Sequence, residues 1–85
     1  MTNIHPTTQE ETEVLARETV QRFLNDCRLT HRDQIADRLM KLCSVAGVVM
    51  AQAEGSAGAA ARLIATGEFI LNSMPAKASK LETLQ

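Results

Sequence analysis

The sequence predicts an all-α protein of three short helices. Two of them form an antiparallel helical hairpin over about residues 31–54 and 57–73, and the whole assembles as an oligomer. Three observations lead there. Apolar residues recur at helical rather than alternating spacing in three segments. Helix-breaking or capping residues at Leu29-Thr30, Gly55-Ser56 and Pro75 separate those segments. Finally, the chain has 85 residues and is 45% hydrophobic, yet only Phe23 and Phe69 are aromatic and much of the apolar content is alanine. So small a chain, with so few large side chains, is marginal as a monomer. Two cysteines cannot build a disulfide scaffold, which leaves self-association as the expected remedy.

Residues 1–6 read as a flexible lead-in, 7–74 as the helical domain, and 75–85 as a disordered tail in which Leu81 and Leu84 are the only large apolar residues. The first helix opens after Pro6. Thr8 and Glu11 have the spacing of a capping box, as do Thr7 and Glu10, so the start is defined to within a residue. Glu10, Glu11 and Glu13 suit the positive end of the helix dipole. Ala16, Val20, Phe23, Leu24 and Cys27 form a narrow apolar stripe up to Cys27 or Arg28, with Val14 and Leu15 off it. Opposite charges at Glu13/Arg17, Glu18/Arg22 and Arg22/Asp26 add a few tenths of a kcal/mol each.

The second helix is the centre of the chain. Thr30 is its expected N-cap, and residues 35–53 (IADRLMKLCSVAGVVMAQA) carry apolar side chains round an arc of roughly 200°, twice that of a surface helix. Such a helix should be covered by both neighbours. Val45 and Val48 break into its thin polar edge. A membrane span is excluded, because the charge-free run from Leu42 to Ala51 is about half the length a bilayer crossing needs. Gly55 is placed for a left-handed helix end and Ser56 for the next cap, a connection so short that the flanking helices must double back. In the third helix Ala59, Ala60, Leu63, Ile64, Gly67, Ile70, Leu71 and Met74 share an arc of about 140°, and Pro75 ends it. Gly47 and Gly67 each cost roughly 1 kcal/mol against alanine in a helix, and close approach of crossing helices is the expected reason.

Several chemistries can be weighed. The sequence contains no Gly-rich phosphate loop, HExxH or GxSxG, and its histidines fall at a terminus and a junction, so an enzyme is not expected. Cys27 and His31 have i,i+4 ligand spacing that Cys43 and His5 would have to complete, but both cysteines lie on apolar faces; no metal or other cofactor is expected. Arg28, His31 and Arg32 make a basic corner, offset by Asp26 and Asp33, which reads as solvated rather than phosphate-binding.

What remains is binding. Phe69, Val45 and Val48 interrupt polar faces, with Arg62 beside Phe69, and these four are the expected interface residues. The expected function is therefore protein–protein binding, as an adaptor, inhibitor or antiactivator of the kind common among small phage and mobile-element proteins. Its partners would be a second copy and another protein, with no membrane. A DNA-binding regulator is the alternative; a net charge of −1 and an alanine-rich third helix argue against it. A nucleotide-sequestering oligomer comes third, since two phenylalanines offer little to stack on. No basic segment followed by an apolar run opens the sequence, so a cytoplasmic location with reduced thiols is expected.

Overall fold

Of the two capping-box spacings, Thr8 with Glu11 is the one that starts the first helix. The Thr8 hydroxyl accepts from the Glu11 N–H at 3.1 Å, and the Glu11 carboxylate accepts from the Thr8 N–H at 2.8 Å. Helix α1 then runs over Gln9–Cys27. The computed structural model describes residues 5–78, and these hold three helices and no strand, so the chain is all-α. The expectations for residues 1–4 and for the tail from 79 onward, Leu81 and Leu84 included, lie outside the described residues. Along α1 the Glu13–Arg17 ion pair closes at 2.7 Å with both side chains more than half exposed. The helix ends at Arg28, whose left-handed backbone (φ 53°, ψ 54°) lets its N–H reach the Asn25 carbonyl.

Helix α2 spans Gln34–Glu54, and so begins three residues later than expected at His31. The cause is Gln34. Its side-chain oxygen reaches back to accept from the N–H groups of Thr30 and His31, at 2.9 and 3.2 Å. Residues 31–35 then close a tighter turn, with Gln34 N–H donating to the His31 carbonyl and Ile35 N–H to that of Arg32. Thr30 therefore precedes this turn and does not cap the helix; Asp33 stands at the N-cap without a side-chain bond.

Helix α3 spans Ser56–Ser73, joined to α2 through Gly55 alone. Gly55 serves both helices. Its N–H donates to the Ala51 carbonyl at 2.8 Å, and its carbonyl accepts from the Ala59 N–H at 3.1 Å. The backbone there has φ 94° and ψ 157°, a left-handed extended conformation rather than the expected left-handed helical one, and one that residues with a Cβ avoid. Ser56 is thus the first helical residue and not the cap. At the far end Met74 turns extended, as the residue before a proline must, and the helix stops.

Helix α2 touches both α1 and α3, while α1 and α3 do not touch each other among the described residues. Where α1 meets α2, Leu24 is buried, and Val20, Phe23, Cys27, Ile35, Leu39 and Leu42 are half-buried. Where α2 meets α3, Ala59 is buried and Gly47 admits Leu63. Beyond these two junctions the helices splay. The radius of gyration is 15.3 Å, against about 12 Å for a compact chain of this length.

The broad apolar arc of α2 is consequently only half covered, which corrects the expectation that its two neighbours would bury it. No residue of α2 is fully buried, and Met40 and Val49, both on that arc, are exposed. An arc on a helical wheel gives direction only. Coverage also needs the neighbour to run alongside for its whole length, and neither neighbour does.

Candidate interaction surface

The four residues singled out from the sequence are all at the surface. Val45, Val48 and Phe69 are 57%, 59% and 66% exposed. Arg62 is exposed as well, and its Nε donates to the Glu54 carboxylate at 2.6 Å across the α2–α3 joint. That hydrogen bond, with the carboxylate's charge, raises the guanidinium's already high pKa further. Arg62 therefore acts as a clasp between the two helices.

The four residues lie on two helices, Val45 and Val48 on α2 and Arg62 and Phe69 on α3. Successive residues turn by about 100° on a helix, so the direction in which α2 faces α3 follows from Gly47, Ala51 and Glu54. Val45 lies about 150° round from that direction and Val48 about 90°. Phe69 stands on α3 two turns beyond Arg62.

Reading the sequence missed the larger exposed surface. Ile64, Ile70, Leu71 and Met74 share the apolar arc of α3, and they are 53–80% exposed. Every described residue from Ala60 onward is exposed. The available signal was the break of one residue, Gly55, which anchors α3 to α2 at one end and leaves its distal half without a restraint.

The remaining candidates place differently. Because α2 starts at Gln34, Cys27 and His31 do not share a helix. Cys43 is exposed, His5 Nδ1 lies 2.8 Å from the Pro6 carbonyl, and no group of three or more His, Cys, Asp or Glu gathers among the described residues. In the basic corner, the Thr30 and His31 N–H groups that would meet an anion are already taken by Gln34. A shallow concavity runs along α1 from Val14 to Asp26, lined by α1 alone; one helix cannot enclose a ligand. No helix among the described residues is long and apolar enough to cross a membrane.

No protein-family model, curated protein or solved structure matches this chain. Apolar side chains are exposed on all three helices, and ion pairs form both within a helix and across the α2–α3 joint.

Proposed function

We propose that this protein is a non-enzymatic protein-binding module, an adaptor, inhibitor or antiactivator, that works as a homo-oligomer and carries α2 and α3 as an antiparallel hairpin. One observation carries the reading. Among the described residues two are buried, Leu24 and Ala59, while twelve large apolar side chains are exposed. Exposed apolar groups scattered singly are ordinary, but arrays of them mark surfaces that other proteins cover. The pairing of Gly47 with Leu63, symmetric about Gly55, and of Glu54 with Arg62 across the same joint supports the hairpin.

On this reading Val45 and Val48, and separately Phe69 with Arg62 beside it, receive a second copy or another protein. The test compares wild type with Val45→Glu/Val48→Glu and with Phe69→Glu, by sedimentation mass and by capture from the native host followed by mass spectrometry. A charge placed in a desolvated contact should dissociate it. Variants matching wild type in both mass and captured proteins would reject these faces as interfaces.

A further inference from the structure

We infer that two copies of this chain pair through α3, antiparallel, with Gly67 of one crossing Gly67 of the other on the two-fold axis. The inference rests on the self-association in the reading above and adds its surface and geometry.

The area comes first. The chain exposes 7669 Å², whereas a compact folded chain of 9.3 kDa exposes about 5,000 Å². The excess over the whole chain, about 2,700 Å², is more than the roughly 1,000–2,500 Å² that an obligate homodimer interface removes from each partner, so there is area enough for one. With two buried residues among those described, the chain needs that cover whenever it is folded, and a second copy is the partner always present where it is made.

Gly67 locates the contact. Glycine inside a helix is unfavourable, and the neighbour that accounts for Gly47 has no counterpart here: a Cβ at Gly67 meets nothing within 4 Å. A missing side chain in open solvent has no use within the protomer. At the crossing of two helices it lets the backbones approach.

The stripe around Gly67 is self-complementary. A two-fold contact brings residue i onto j and j onto i. With Gly67 on the axis of an antiparallel crossing, Ile64 meets Ile70 and Ala60 meets Met74, while Leu63, which also packs on Gly47, meets Leu71 with its exposed side. Large side chains of like size face each other near the axis, and the smallest faces the longest at the rim, which keeps the layer evenly filled. A parallel crossing would set Ala60 on Ala60 and Met74 on Met74, leaving a gap at one end and crowding at the other. All of these side chains are exposed and none is charged, so nothing on the stripe repels a copy of itself.

Sedimentation equilibrium over a concentration series, together with cysteine cross-linking, tests this. Gly67→Ala is informative through its sign. Alanine favours the helix, but on the axis its methyl groups force the helices apart, and the dimer dissociation constant should rise roughly tenfold or more. For cross-linking, Cys27→Ser/Cys43→Ser protein of verified wild-type mass carries either Ile64→Cys or Ile70→Cys. The two should form a mixed disulfide with diamide when combined, and neither should cross-link efficiently alone. Efficient self-linking of each would show a parallel crossing and overturn the geometry. A dimer unchanged by Gly67→Ala and giving no mixed disulfide would overturn the α3 seam and leave self-association standing. A wild-type chain that stays monomeric throughout would overturn both.

Discussion

A Cβ built on Gly47 would stand 3.2 Å from Cδ1 of Leu63, so the absence of a side chain on α2 is matched to the presence of one on α3. This close approach and the Glu54–Arg62 bond next to the joint both tie α3 to α2. Each can be perturbed separately.

At Gly47 two effects oppose. Alanine gains roughly 1 kcal/mol of helix propensity, while its methyl group presses on the end of the Leu63 side chain. Leu63 is 44% exposed, so it can swing aside by a few tenths of an ångström. Gly47→Ala should therefore be neutral or stabilising by less than about 1 kcal/mol in urea denaturation. Gly47→Leu cannot be accommodated so easily and should cost about 1–3 kcal/mol. Equal stability of the two variants would show that Leu63 does not press on this site.

Gly55 behaves in the opposite way. Nothing lies within 4 Å of a Cβ there, yet its φ of 94° with extended ψ strains any residue that has one. Gly55→Ala should cost about 1–3 kcal/mol despite the open space. If the variant unfolds at the wild-type urea midpoint, the joint is not held in this conformation.

Removal of the α1 cap should act locally. Thr8→Ala loses the acceptor for the Glu11 N–H and should destabilise the helix start by about 1 kcal/mol. Hydrogen exchange should speed up in the first turn of α1 and stay unchanged in α2 and α3. Exchange rising equally in all three helices would show that α1 does not open independently.

The Glu54–Arg62 pair is exposed on the arginine side, so its expected contribution is small, about 0.2–1 kcal/mol in a double-mutant cycle with Glu54→Gln and Arg62→Gln. The coupling should shrink as salt is raised to molar concentrations, where the screening length falls to about 3 Å. Because the raised pKa keeps the guanidinium charged, raising the pH from neutral to about 10 should leave the coupling unchanged. A coupling energy lost on that rise would contradict the arrangement.

The sequence alone determined what depends on neighbours along the chain. The three helical segments, a capping box at Thr8–Glu11 or Thr7–Glu10, a short joint at Gly55-Ser56 and the stop before Pro75 are set by backbone hydrogen bonds and allowed dihedrals within a few residues. The start of α2 at Gln34 was missed for an equally local reason, a glutamine side chain that outcompetes Thr30 for the turn's N–H groups. Tertiary structure decided how far each helix pair stays in contact. A wheel places Gly47 and Gly67, or Leu42 and Val49, in equivalent positions, since it records angle and not distance. Only the splay of the helices makes Gly47 a contact and leaves Gly67 open, and half-buries Leu42 while exposing Val49. Splay is set by crossing geometry between residues far apart in sequence, which helical periodicity does not encode.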